Sequence, residues 1–180
     1  AALPDVRTST PVLRVQRSKR GVEIDTPARR GERFDSVVLA CHGDQALRLL
    51  ADPSPAEARA LSWVRYQDNR GVLHTDASLL PRSRRAGSSG NYLAADDPSG
   101  ERPVAVSYLV NRLQPLPTRT PVIVTLNPPI EPDPRAVIAE FEYAHPLLDA
   151  GAVAAQRDVA ALQGERRTWF AGAWLRYGFH

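Results

Sequence analysis

Proline is crowded into residues 115–134, and this crowding constrains the fold of the chain more than any other feature. Proline fixes φ, donates no backbone hydrogen bond and interrupts both helices and central strands. The segment can therefore form only stiff, irregular connections. Short β-rich runs bounded by proline or glycine lie around it, at residues 71–75, 89–94, 104–110 and 122–126. They predict a sheet of short, mostly antiparallel strands.

The first 40 residues predict a second group of strands. Residues 12–17 and 22–26 alternate apolar and polar side chains, the period of a half-buried strand, and Lys19-Arg20-Gly21 supplies a turn between them. Residues 34–40 end in a wholly apolar stretch, Val37-Val38-Leu39-Ala40, which is typical of a strand buried on both faces. The pattern predicts two strands of a meander that lead into a central strand.

Helices are predicted from capping residues and apolar spacing. Asp44 is the expected N-cap of a short helix that runs to Leu50. The run Ser54-Pro55-Ala56-Glu57 has the spacing of a capping box and starts a second helix, which should end near Tyr66. A third helix is expected over residues 150–162, which are rich in alanine and carry apolar side chains at helical spacing.

Strands are predicted again on both sides of the third helix. Residues 136–143 favour a strand because they contain Phe141-Glu142-Tyr143, and residues 168–173 should form a buried strand near the end. Together these elements predict the α+β class. We expect a mixed, mostly antiparallel β-sheet with flanking helices, in addition to the meander.

Composition excludes several classes of protein. No stretch approaches about 18 consecutive apolar residues, so no membrane span is predicted, and no signal peptide pattern opens the chain. The single cysteine, Cys41, excludes a disulfide framework and is expected to act as a small buried hydrophobe. The four histidines are too scattered to predict a metal site. These features predict a soluble cytoplasmic protein without a resident metal.

Two absences bear on cofactor binding. The glycine pair Gly87 and Gly90 follows no strand, so the chain has neither a Walker loop nor a dinucleotide fingerprint. The main cradle for any nucleotide cofactor is therefore expected outside these residues. The chain also lacks methionine and stops at residues 177–180, directly after an apolar, aromatic-rich run. We expect it to be an internal piece of a longer protein.

The positive charge of the chain is only weak evidence for a nucleic-acid partner. Lys and Arg number 23 against 20 Asp and Glu, and Lys19 is the only lysine. The arginines are spread along the chain except at Arg82, Arg84 and Arg85, and no aromatic residues are interleaved with them. No nucleic-acid partner is predicted. An arginine-driven nucleic-acid binder remains an alternative, and such a protein would show steep salt dependence.

Several segments in order resemble a known family. Residues 12–40 resemble the meander and following strand of the flavin-containing amine oxidase superfamily, and Trp169-Phe170-Ala171-Gly172-Ala173-Trp174 is similar to the strand with which that superfamily returns to its flavin. Four middle segments resemble a bacterial branch of NAD/FAD-binding, amine-oxidase-like proteins, namely residues 72–76, 90–93, 106–114 and 143–146. The ordered set, which spans nearly the whole chain, carries the resemblance.

The resemblance implies a domain layout and an activity. Residues 1–48 would be a fragment of the FAD domain, residues 49–163 the inserted substrate-binding domain, and residues 164–180 the return strand to the FAD domain. The whole protein would be an FAD-dependent oxidoreductase. It would transfer a hydride to FAD from a small organic substrate, either amine-like or lipidic. The isolated chain would bind FAD weakly or not at all and would be inactive.

The same resemblance implies coenzyme contacts. Val12 matches the position whose backbone meets the adenine, and Gly172 and Ala173 match the turn that passes the ribityl chain and pyrophosphate. The carboxylate usual in that turn is replaced, and the frequent active-site lysine has no counterpart because Lys19 lies in another segment. Amine oxidation in particular is therefore unsupported, and no catalytic residue is assigned. The candidate coenzyme-binding residues are Val12, Ala40, His42, Gly172, Ala173, Trp174, Tyr177 and Gly178. His42 is included because it ends the predicted buried strand, where ligands gather in open α/β sheets.

The candidate substrate-lining residues are His74, Asn91, Tyr108 and Asn111. Ordinary packing or capping is the alternative for each, and Tyr108 and Asn111 should face opposite sides of one strand. A second class of function also stays open, a stand-alone β-rich binding module for an acidic ligand that uses Arg82, Arg84, Arg85 and Arg112. The expected partners are a small-molecule substrate and, through exposed sheet edges, a second copy of the chain.

Overall fold

The computed structural model describes residues 5–81, 88–93 and 105–177. The chain divides into two compact units: unit 1 contains residues 1–66 and 146–180, and unit 2 contains residues 67–145. Helices and mostly antiparallel sheets confirm the predicted α+β class. The limits of the units differ from those of the predicted domains, whose assignment to coenzyme and substrate stays a prediction.

Unit 1 contains two small sheets. The first joins β1 (Arg14–Ser18), β2 (Gly21–Asp25) and β3 (Glu32–Phe34) as an antiparallel meander. The second pairs β4 (Val37–Leu39) in parallel with β10 (Thr168–Phe170), so that segments about 130 residues apart meet. The meander is thereby confirmed. The predicted buried strand over residues 168–173 is confirmed only for residues 168–170, where Trp169 is 41% exposed, and its role in a coenzyme domain stays a prediction.

Burial of β4 differs from the prediction. Val37 and Leu39 are buried, but Val38 between them is 62% exposed. The expectation that this strand is buried on both faces is therefore wrong for the described residues. The apolar run predicts two covered faces, whereas only the face that carries Val37 and Leu39 belongs to the core of unit 1.

Three helices complete unit 1. They are α1 (Gly43–Leu49), α2 (Pro55–Ser62) and α4 (Ala150–Leu162). The helix α4 has the predicted bounds, and α2 begins at the predicted capping box, in which the Ser54 hydroxyl accepts from the Glu57 N–H and the Glu57 carboxylate accepts from the Ser54 N–H. The expected cap of α1 is wrong: His42 is the N-cap, and Asp44 lies inside the first turn.

The core of unit 1 is apolar with one buried ion pair. Its fully or nearly fully buried side chains include Val15, Val22, Leu39, Ala46, Leu61, Val64, Ala155, Val159, Phe170 and Trp174. Arg17 and Glu57 are buried beside this cluster and form a salt bridge. Cys41 is partly buried against the cluster, and burial raises the pKa of its thiol, in keeping with its expected role as a small hydrophobe.

Unit 2 is built on one five-stranded sheet. Its strands are β5 (Tyr66–His74), β6 (Gly90–Leu93), β7 (Ala105–Leu109), β8 (Ile123–Leu126) and β9 (Val137–Pro146), in the order β6-β7-β8-β5-β9. A short helix, α3 (Val110–Leu113), follows β7 directly. The strand β5 begins at Tyr66, where the second predicted helix was expected to end. In the described part of the chain, no helix has the length and apolar character to cross a membrane.

Candidate functional site

The carboxyl ends of β4 and β10 lie side by side because the two strands are parallel. Ala40, Cys41 and His42 continue from β4, and residues 171–174 continue from β10. The Ala171 N–H donates to the Leu39 carbonyl oxygen at 3.0 Å, so the two chains stay paired just beyond the strands. Ligands of open α/β sheets gather at such strand ends.

Trp174 links the ends of these two strands through a hydrogen bond. Its indole Nε1–H donates to the Cys41 carbonyl oxygen at 3.1 Å, and its side chain is buried. Gly172 lies in the turn before it with φ 147°, and a Cβ at Gly172 would come within 2.7 Å of the Trp174 Nε1. Only glycine fits this turn, because the Trp174 indole fills the space that a side chain would need, and Gly172 itself is exposed.

The start of α1 is fixed by contacts from a distant residue. The Gly43 N–H donates to the Tyr66 hydroxyl oxygen at 2.8 Å, and the His42 ring stacks on the Tyr66 ring with centroids 4.3 Å apart. The Gln45 Oε1 accepts from the His42 N–H at 3.2 Å. Burial raises the pKa of Tyr66 to about 12, so its phenol stays protonated. These contacts hold His42 at the carboxyl end of β4.

Asp44 supplies a carboxylate beside the same strand end. Its Oδ2 accepts from the Arg48 Nη1 at 2.7 Å, one helical turn onward. Its Oδ1 is buried and accepts no hydrogen bond from any residue in the described segments. A buried carboxylate oxygen without a donor is costly, so it suits a hydroxyl donor from a ligand. Sequence reasoning treated Asp44 only as a helix cap and missed this feature.

The predicted coenzyme residues divide into a clustered group and outliers. The clustered group lies at the paired carboxyl ends of β4 and β10 and consists of Ala40, His42, Gly172, Ala173 and Trp174. Val12 is exposed just before β1, Tyr177 is 83% exposed, and Gly178 lies outside the described residues. Coenzyme binding by any of these residues stays a prediction.

One face of the unit 2 sheet carries a buried polar row. The His74 Nδ1 accepts from the Asp76 N–H at 3.2 Å, so the other ring nitrogen, Nε2, carries the proton and donates to the Thr125 Oγ1 at 2.8 Å. Thr125 and Ser107 share a hydrogen bond of 2.7 Å, and the Asn91 Nδ2 donates to the Ser107 carbonyl oxygen at 3.4 Å. Burial lowers the pKa of His74 and keeps the imidazole neutral.

The opposite face of that sheet is aromatic and largely open. We call the group formed by Tyr92, Tyr108, Phe141 and Tyr143 the aromatic face. Phe141 and Tyr143 are two residues apart on β9, with ring centroids 5.9 Å apart. Gly71 makes room for Tyr143, because a Cβ at Gly71 would lie 2.7 Å from its ring. Exposed aromatic side chains on a rigid sheet form a surface suited to an apolar ligand.

Of the four predicted substrate-lining residues, only Tyr108 lies on the aromatic face. His74 and Asn91 are buried in the polar row. The expectation that Asn111 continues the strand is wrong, because β7 ends at Leu109 and Asn111 lies in α3. Its Oδ1 accepts from the Val122 N–H at 2.7 Å, and its Nδ2 donates to carbonyl oxygens of the following loop. Substrate contact stays a prediction for all four.

Sequence reasoning missed the rest of the aromatic face. The alternation Phe141-Glu142-Tyr143 was used to predict a strand, and its period also places both rings on one face. The cluster Arg82, Arg84 and Arg85, on which the alternative binding module rests, lies outside the described residues. Across residues 5–81, 88–93 and 105–177, no group of side chains has the composition of a metal site.

Comparisons with known proteins support the resemblance. Residues 3–72 match the family model of flavin containing amine oxidoreductases, which confirms the resemblance to that superfamily. No protein of curated function matches the sequence.

Two solved structures share the fold. A CLA-producing fatty acid isomerase from P. acnes has 19% sequence identity and a TM-score of 0.56, over 91% of this chain. A protein described as a protoporphyrinogen oxidase from Exiguobacterium sp. 255-15 has 14% identity and a TM-score of 0.55, over 92% of this chain. At these identities the likeness shows the fold alone. The chain spans 42% of the length of each of these proteins.

Proposed function

We propose that the protein containing this chain is an FAD-dependent oxidoreductase and that unit 1 supplies part of its coenzyme site. One observation carries the proposal: the carboxyl ends of β4 and β10 are paired, and they lead into the exposed Gly172 on one side and into α1, which carries the unsatisfied Oδ1 of Asp44, on the other. The family match over residues 3–72 includes β4 and Asp44 and supports the same reading.

The residues at this strand end fit part of a flavin coenzyme. Gly172 is exposed, so a ligand can reach its backbone, and the Asp44 Oδ1 can accept a hydrogen bond from a ribityl or ribose hydroxyl group. The chain has no dinucleotide fingerprint, so the phosphates need donors from elsewhere. When bound, FAD accepts the hydride through its isoalloxazine ring, and the protein contributes binding and orientation.

The aromatic face supports an apolar organic substrate. Its four aromatic rings offer a flat hydrophobic surface on β6, β7 and β9 rather than a cluster of charged side chains. The lack of an active-site lysine argues against an amine, and one structural neighbour is a fatty acid isomerase. We therefore favour a lipidic substrate over an amine-like one. Oxygen or another acceptor would then reoxidise the coenzyme.

The visible spectrum of the protein made from the whole reading frame tests the proposal. The protein should purify with stoichiometric flavin, and Asp44→Asn should weaken FAD binding about tenfold, since a hydrogen bond to a charged group is lost. Asp158→Asn is the matched control, because Asp158 is an exposed carboxylate on α4. A full-length protein that takes up no FAD would refute the proposal.

A further inference from the structure

A basic cleft lies at the opposite end of β10 from the glycine turn. It has a volume of about 630 Å³ and is lined by Arg17, Ser18, Lys19, Gly164, Arg166 and Arg167, with no carboxylate in its lining. A cavity of this size can hold a small molecule. The tip of the hairpin between β1 and β2 forms one wall, and the turn that precedes β10 forms the other.

The floor of the cleft is a rigid ion-pair network. The Arg17 guanidinium is buried, where it donates to both carboxylate oxygens of Glu57 and to the Asp52 Oδ1. Arg166 pairs with the Asp52 carboxylate. These two arginines are therefore neutralised by Glu57 and Asp52, and they fix the shape of the cleft without being available to a ligand.

The two remaining cations, Arg167 and Lys19, have no counter-charge among the described residues. The Arg167 guanidinium donates only to backbone, to the Asp35 carbonyl oxygen at 3.2 Å and the Lys19 carbonyl oxygen at 3.3 Å. No carboxylate in the described segments forms an ion pair with Arg167 or with Lys19. The carbonyl contacts orient the Arg167 side chain, and its other N–H groups donate to no side chain in the described segments. Lys19, the single lysine of the chain, lies beside it.

The backbone that presents Arg167 is unusual for arginine. Arg166 and Arg167 have φ of 50° and 64°, in the left-handed region that favours glycine, directly after Gly164 with φ 84°. Two such arginines in succession are strained, and strain of this kind persists where the surroundings over-determine it, often at ligand sites. Binding of a ligand by Arg167 would explain why the chain keeps this strained backbone conformation.

The geometry points to a binding site in this cleft for a phosphate group, carried by a free phosphate ester or by a lipid headgroup. Two adjacent cations without carboxylate partners among the described residues match the double charge of a phosphate. The planar guanidinium of Arg167 can pair with two phosphate oxygen atoms at once. The volume exceeds that of phosphate alone, so the phosphate would be part of a larger molecule. The site is independent of flavin binding.

Calorimetric titration of the chain with pyrophosphate, at low ionic strength, tests the site. Arg167→Asn and Lys19→Gln should each weaken binding about tenfold, because each removes a charge-assisted hydrogen bond from an exposed side chain. Asparagine tolerates the left-handed backbone and keeps the turn intact. Arg20→Gln is the matched control, since Arg20 lies in the same hairpin turn, is exposed and does not line the cleft.

The outcomes separate specific binding from general attraction. Weakening by Arg167→Asn and Lys19→Gln with little change for Arg20→Gln supports the site. Equal weakening by all three substitutions would show diffuse electrostatic attraction and overturn it. A flotation assay with phosphatidic acid vesicles identifies the source: binding there that depends on the same two residues indicates a lipid headgroup. If the protein binds neither pyrophosphate nor these vesicles, the proposal is also overturned. This outcome does not depend on whether the protein contains flavin.

Discussion

The two units present candidate ligand surfaces of opposite construction. In unit 1, the end of β4 and β10 exposes backbone, and buried side chains hold that backbone in place: Trp174 at the end of β10 and Arg17 at its start. In unit 2, a regular sheet exposes the side chains of the aromatic face and buries a polar row beneath. A site made of backbone depends on fixed geometry, whereas a side-chain surface on a sheet tolerates adjustment.

The largest effect should come from Arg17, which donates to the hydroxyl of Thr168, the first residue of β10. Arg17→Leu leaves the buried carboxylate of Glu57 without its partner, and this should lower the free energy of unfolding by about 3–5 kcal/mol. Arg33→Leu removes an exposed ion pair with Glu23 and should cost less than about 1 kcal/mol. Urea unfolding measures both losses. Losses of equal size would contradict the account of unit 1.

A matched pair of glycine substitutions compares the units directly. Gly172→Ala places a side chain at φ 147° against Trp174, whose position is fixed by its buried indole, and should cost about 2–3 kcal/mol. Gly71→Ala meets the ring of Tyr143, which is partly exposed and can move, so about 1 kcal/mol or less is expected. Thermal unfolding of the two variants checks the order. A larger loss for Gly71→Ala would reverse the comparison.

The buried imidazole of His74 should make the stability of unit 2 depend on pH. Its pKa is lowered by burial, so the unfolded chain binds the proton more readily than the folded one. Stability is therefore complete above the unfolded pKa of about 6.5 and falls as the pH drops below it, by up to about 1.4 kcal/mol per pH unit. Urea unfolding at a series of pH values measures this slope.

Two histidine substitutions in unit 2 sharpen that measurement. His74→Gln should reduce the acid sensitivity, because the titrating group is gone, whereas His145→Gln, at the exposed end of β9, should leave it in place. If the slope survives His74→Gln unchanged, the buried polar row is not its source.

The smallest change in stability should come from the aromatic face. Phe141→Ser and Ile138→Ser lie on opposite faces of β9, and both side chains are exposed, so each should shift the free energy of unfolding by no more than about 1 kcal/mol. Binding of a fluorescent long-chain fatty acid should weaken about fivefold for Phe141→Ser only, because apolar contact area is lost. Equal weakening by the two substitutions would show that the aromatic face is not the binding surface.

Local sequence patterns were sufficient to predict where the helices α2 and α4 begin. The capping box at Ser54 and the apolar spacing of residues 150–162 depend on neighbours within one or two helical turns, and both helices begin where predicted. The start of α1 was not predictable in this way. Capping preference favoured Asp44, but the Tyr66 hydroxyl, 23 positions away, fixes the helix start at Gly43.

The candidate site was predictable only in part. Gly172 was identified by resemblance and His42 by its place at the end of a predicted buried strand, and the parallel pairing of β4 with β10 brings them to one edge. The unsatisfied oxygen of Asp44 depends on the packing of its surroundings, which no sequence period encodes. Asn111 was misplaced because its hydrogen bonds to residues 118–122 turn the chain away from the sheet, and such contacts are invisible in a pattern of alternation.

Equilibrium dialysis of FAD against the protein from the whole reading frame tests the central claim most directly, with Gly172→Ala and Gly71→Ala compared under the same conditions. The claim is that the backbone turn at the end of β10 forms part of the coenzyme site. It predicts that Gly172→Ala loses FAD affinity by at least about tenfold, since the added side chain displaces the turn, while Gly71→Ala binds FAD as the unaltered protein does. Equal FAD affinity in the two variants would contradict it.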